Sequence, residues 1–173
     1  MDEGFSEAHG VLGRYLILKR EYDKAVAEGE RAITLNPGDA DSYAFYGMIL
    51  YYSCRPEEAI PMLQKAIRFN PLCPVFYLSA LAGSLSNTGR FEEAVSEYKK
   101  ATQRSPGYIV SHVGLAITYS RMGREKEARA EVAEVLRINP KYSVDYFART
   151  LAAFKDQSET DKAINALLKA GLK

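Results

Sequence analysis

The sequence contains no tryptophan, and only two cysteines and two histidines among 173 residues. Each scarcity excludes something. His9 and His112 leave little material for acid–base or metal chemistry, and no nucleophile–base or ligand constellation gathers around them. Cys54 and Cys73 fit neither a disulfide framework nor a metal-binding spacing. They read as two small buried free thiols, in keeping with a reducing cytoplasm. Excess charge of either sign is also missing: 23 basic against 22 acidic residues leave a net charge of +1. A dedicated nucleic-acid binder is usually strongly basic, so that class is disfavoured. No apolar run approaches the roughly 18–20 residues of a membrane span. Residues 5–18 are partly apolar but lack a charged lead and a cleavage site, so they do not read as a secretory signal. Phosphate loops and nucleotide fingerprints are absent too. The expectation is therefore no enzyme activity, no cofactor, no metal, no nucleic acid and no membrane.

What is present is periodic. Pro37, Pro71, Pro106 and Pro140 are separated by 34, 35 and 34 residues. Ala25, Ala59, Ala94, Ala128 and Ala163 keep the same step. Another small residue, Gly13, Gly47, Ala82 or Ala116, precedes each of the first four alanines. Within one period, Ala94, Tyr98 and Ala101 fall at steps of four and three, on one stripe of a helix. Pro106 then follows where a missing N–H costs least. A period near 34 with this punctuation marks a helix–turn–helix solenoid. Small residues are needed where helix spines nearly touch, because overpacking there costs about 1–3 kcal/mol.

The pattern resembles the tetratricopeptide repeat family. The first half of its motif reads Tyr43/Tyr46/Gly47/Leu50 in the second repeat, and the second half reads Ala94/Tyr98/Ala101 in the third. Gly29 stands where a bulky residue is usual and Val135 where Ala is usual. The resemblance implies an all-α, right-handed α-solenoid of antiparallel helix pairs. Four repeats are expected at about 4–37, 38–71, 72–106 and 107–140, with a capping helix pair over 141–173, all in one domain spanning 1–173. Individual helices are expected over 6–19, 22–34, 40–52, 56–69, 74–88, 91–104, 108–122 and 125–138. A short helix capped by Ser143 follows to about 154, and a last one, begun by Asp156, runs to about 170. Pro56 suits a first helical position, whereas Pro61 should remove a backbone bond and bend its helix. Gly89 and Gly123 are placed for tight turns between paired helices. Gly29, inside a helix, should cost roughly 1 kcal/mol against Ala.

Some charged and polar groups have plain structural readings. The Glu57-Glu58 and Glu92-Glu93 pairs open helices, where carboxylates favour the positive end of the dipole. Arg121, Arg124, Lys126 and Arg129 interleave with Glu125, Glu127 and Glu131 as a solvated face. His9 and His112 share one repeat position facing the partner helix, and read as packed rings.

A helical wheel places Asp41, Ala44, Met48, Tyr51 and Tyr52 opposite the stripe that faces the partner helix. In the family this side lines a concave surface where extended peptides or partner helices bind. The equivalents are Glu7, Gly10, Arg14, Ile17 and Leu18 in the first repeat, and Phe76, Ser79, Gly83, Ser86 and Asn87 in the third. The fourth offers Val110, Val113, Ile117, Ser120 and Arg121. Exposed apolar surface with Tyr and Met marks contact sites. The candidate partner-binding residues are Arg14, Met48, Tyr51, Tyr52, Phe76, Asn87, Ile117 and Arg121. The bland alternative is that Tyr51, Tyr52 and Phe76 pack between repeats. The family's carboxylate-clamp positions hold Gly10, Ala44, Phe45 and Ala80, which argues against a chaperone-tail receptor.

The leading expectation is a non-catalytic scaffold that binds a peptide or partner helix in this groove, in the cytoplasm. The second is a self-associating or regulatory module of a larger signalling protein, with a homo-oligomer left open. The tail loosely resembles the closing segment of bacterial regions of this family appended to signalling domains such as nucleotide cyclases. Asp2-Glu3-Gly4 falls where Asn36-Pro37-Gly38 falls one period later, so the sequence starts at a repeat boundary. An excised piece and a natural N-terminus both fit that.

Overall fold

The computed structural model describes the backbone of residues 3–150 and 153–173, and the side chains of these residues except 3–5 and 150. Asp2, read above as part of a repeat boundary, lies outside them. Eight helices form four hairpins: α1 (Glu3–Leu18) with α2 (Tyr22–Leu35), α3 (Ala40–Tyr52) with α4 (Pro56–Phe69), α5 (Val75–Asn87) with α6 (Phe91–Arg104), and α7 (Ile109–Arg121) with α8 (Glu125–Ile138). Each hairpin stacks on the next through α2–α3, α4–α5 and α6–α7. Two further helices follow, α9 (Val144–Thr150) and α10 (Gln157–Lys169). The described residues contain no strand. The chain is an all-α solenoid.

Small residues explain the close approach of the helices. Ala25, Ala59, Ala94 and Ala128 are each fully buried. A Cβ added to Gly47 would meet Leu63 Cγ at 2.6 Å and the Ala59 carbonyl at 3.3 Å. Distances below about 3 Å require the neighbour to move, which a packed core resists.

The hairpin turns share one hydrogen-bond pattern. Glu21 N donates to Leu16 O, Arg55 N to Leu50 O, Arg90 N to Leu85 O and Arg124 N to Tyr119 O, each at 2.9 Å. This is the Schellman arrangement, which needs a left-handed residue just before the donor. Gly89 (φ 79°) and Gly123 (φ 74°) fill that position as expected. In the first two hairpins Arg20 (φ 59°) and Cys54 (φ 60°) fill it instead. Cys54 is thus a half-buried turn residue, not the buried one expected, whereas Cys73 is buried; both are free.

Helix α4 runs on through Pro61, which is exposed near its start. Helix α9 is described over Val144–Thr150, and Ala153 and Phe154 are not helical, so the helix expected to reach Phe154 does not include it. Asp156 caps α10, its carboxylate accepting from Ser158 N at 2.8 Å. The two histidines are structural: His9 bonds Glu28 on the paired helix, and His112 Nδ1 lies 2.7 Å from Glu131 in the equivalent place.

Candidate functional site

The first helices of consecutive hairpins, α1, α3, α5 and α7, touch one another side by side and line the concave face. Hydroxyls stitch them together. Ser6 and Ser42 lie 2.6 Å apart, Ser79 and Ser111 2.8 Å apart, and Thr118 donates to Ser86 at 3.1 Å. These contacts are short because the side chains are small. Buried hydroxyls must be paired in this way, or their desolvation costs more than the bond returns. Ala44, Ile17, Val113, Ser79, Ser86 and Ser120, placed on the groove side by the wheel, are buried in the packing beneath it. Their faces point between helices, because α1, α3, α5 and α7 pack side by side there.

Seven of the eight candidate residues, Met48, Tyr51, Tyr52, Phe76, Asn87, Ile117 and Arg121, line one cavity of about 110 Å³. Each is half-buried. Arg14 does not reach it. It lines a second hollow of about 390 Å³ between α1 and α3, shared with Met48 and Tyr52. The Arg14 guanidinium sits 5.2 Å from the Phe45 ring centroid, and Phe45 stacks on Phe76 at 5.8 Å. Arg121 Nη1 donates to Asn87 Oδ1 at 3.0 Å and lies over the Phe91 ring, so its charge is fixed at the groove edge.

The cavity is apolar with a few phenols. Burial pushes the Tyr52 hydroxyl up to about 12 and that of Tyr51 well above its usual value of 10.0. Both are neutral hydrogen-bond donors across the physiological range. The Tyr51 ring crosses the face of Gly83, where a Cβ would meet its phenol carbon and oxygen at 2.9 Å.

Helical-wheel reasoning missed the other wall. Phe147, Phe154, Glu159, Lys162 and Ala163 close the same cavity from the C-terminal region. Helix α10 lies against α7, and non-helical residues 153–156 cross the groove to the second hairpin. The Phe154 ring meets Tyr51 edge-on at 5.0 Å and Tyr52 at 5.4 Å. Lys155 N donates to Tyr52 O at 2.9 Å, and Tyr22 Oη donates to Ala153 O at 3.2 Å. Tyr98, on the second helix of its hairpin, also reaches the cavity because its ring occupies the space that Gly114 leaves free. No local signal in the sequence marks Phe154, since its contacts lie about a hundred residues away.

Among the described residues no group of three or more His, Cys, Asp or Glu could hold a metal ion, and none of their helices is long and apolar enough to cross a membrane.

Residues 88–154 match the family model described as tetratricopeptide repeat. The chain is 28% identical over 159 residues to a peroxisomal targeting signal receptor of Candida glabrata, covering 80% of this chain and 27% of that one. It therefore spans about a quarter of that relative's length. The solved structure of YrrB, titled a tetratricopeptide repeat protein with an unusual peptide-binding site, superposes with a TM-score of 0.62 at 20% identity, covering 94% of this chain and 82% of that one. A thermophilic repeat protein from Thermus thermophilus gives a TM-score of 0.72 at 19% identity, covering 95% and 89%.

Proposed function

We propose that this chain is a tetratricopeptide-repeat solenoid acting as a non-catalytic scaffold, and that its concave groove binds an extended peptide or partner helix. The observation that carries this is the grouping of Met48, Tyr51, Tyr52, Phe76 and Ile117 around one groove cavity, with Arg121 and Asn87 at its edge. Half-exposed aromatics beside a fixed cation are the composition of a contact core with a polar rim. Neutral phenols donate hydrogen bonds to a peptide's carbonyls, and the rings bury its apolar side chains. The peptide-binding site named for YrrB and the receptor role named for the Candida glabrata relative support the same class of partner. The unpaired thiols of Cys54 and Cys73 support a cytoplasmic setting. All four hairpins and the closing segment act here as one domain.

The test is selection of peptides from a displayed random library on the intact chain. Selected peptides should lose at least about tenfold in affinity, roughly 1.4 kcal/mol, for the Tyr51→Ala, Tyr52→Ala double variant. Its circular dichroism and thermal midpoint must show a folded protein. Peptides that bind this folded variant as tightly as the parent would place the site elsewhere.

A further inference from the structure

We infer that residues 153–156 are an internal ligand of the groove, a strap that an aromatic-bearing peptide must displace in order to bind. The inference rests on the groove reading above and says what currently occupies the site. The strap divides the concave face in two. On one side lies the cavity of about 110 Å³, on the other the hollow of about 390 Å³, and Met48 and Tyr52 border both. Phe154 stands at the boundary of the first and Ala153 at the boundary of the second.

The strap is held as a bound peptide would be held. One aromatic side chain sits in the Tyr51–Tyr52 slot. One main-chain N–H, that of Lys155, donates to Tyr52 O at 2.9 Å, and one main-chain carbonyl, that of Ala153, accepts from Tyr22. Its remaining ties are weak. Lys155 Nζ meets Asp23 at 3.0 Å, but the two side chains are 50% and 95% exposed, so screening leaves that pair little strength. Asp156 N lies 3.4 Å from Cys54 Sγ, a poor acceptor. A tethered segment competes through its high effective concentration. A free peptide therefore binds with an apparent affinity reduced by the fraction of chains whose slot is vacant. The partner class follows from the occupant: an extended peptide that carries an aromatic residue and leaves its following N–H free for Tyr52.

The probe is a fluorescein-labelled synthetic peptide with the sequence of residues 153–160, followed by anisotropy against the full chain. Two variants set the strap free or fix it. Phe154→Ala empties the aromatic slot. Asp156→Cys places a thiol on the residue whose N–H lies 3.4 Å from Cys54 Sγ, so that a disulfide between the two locks the strap down. The Phe154→Ala chain should bind the probe at least about tenfold more tightly than the parent. The oxidised Asp156→Cys chain should bind it at least about tenfold more weakly, with reductant restoring the parent's affinity. Equal binding to parent, Phe154→Ala and oxidised Asp156→Cys chains overturns the strap and leaves the groove reading standing. An Asp156→Cys chain that forms no disulfide under oxidant overturns the strap as well. If even the Phe154→Ala chain fails to bind the probe, the strap and the groove fall together.

Discussion

Gly29 and Tyr46 share one space: a Cβ on Gly29 would overlap the Tyr46 ring. The glycine sits mid-helix in α2, and Tyr46 packs onto it from α3 with its hydroxyl 3.1 Å from Glu30. A propensity argument alone makes this glycine a defect worth roughly 1 kcal/mol. In the folded chain it admits the neighbouring hairpin. Gly29→Ala should therefore lower stability by about 1–3 kcal/mol despite the better helix former. Urea unfolding followed by circular dichroism measures this, and a raised midpoint would contradict it.

Ala94 is fully buried on α6, while its neighbour Glu93 is exposed and paired with Arg90. Ala94→Leu should cost about 1–3 kcal/mol by forcing the hairpin apart. Glu93→Ala should move the unfolding midpoint far less, because the pair and helix-end charge it removes are exposed and screened. Equal midpoints for the two variants would contradict the register of the repeat.

Arg20 holds a left-handed conformation at the turn where Gly89 and Gly123 stand in later repeats. That conformation costs a side-chain-bearing residue about 1–2 kcal/mol, and glycine's extra freedom in the unfolded chain returns part of it. Arg20→Gly should raise stability by about 0.5–1 kcal/mol, the balance of those two effects. Thermal unfolding of the pair checks the sign.

Burial raises several phenols, Tyr46 and Tyr52 among them. Burial, reinforced by Glu30, pushes Tyr46 up to about 12, and burial does the same for Tyr52. A folded-state value raised above the unfolded 10.0 means that the stabilisation is complete below pH 10 and disappears as pH climbs through about 12. Ultraviolet difference absorbance should show these hydroxyls ionising together with unfolding in that window. Ionisation of all twelve tyrosines near pH 10, with the fold intact, would refute it.

The repeat and its helices were legible because prolines and alanines recur at a fixed step, and small side chains at helix crossings have a steric cause. Seven candidate residues meet in one cavity for a similar reason: a helical wheel needs only angle, and α3, α5 and α7 repeat the same angle. Depth was not legible. Ala44, Val113 and Ser79 share that angle yet are buried, because adjacent first helices close over them. Nor did any local pattern announce that Phe154 would lie on Tyr51, since the pairing depends on where the whole array brings its last segment. Arg20 and Cys54 carry no local mark of a left-handed turn, because the residue that usually takes positive φ there is glycine.

Solenoids assemble from neighbours, so most of their structure can form while the chain is still emerging from the ribosome. The bond from Tyr22 to Ala153 joins residues 131 positions apart. Its loop closes only after nearly every helix has been made, and the entropy of that closure must be met by one ring and a few main-chain groups. The hairpins of an emerging chain can therefore pack on one another before Ala153 is able to reach Tyr22.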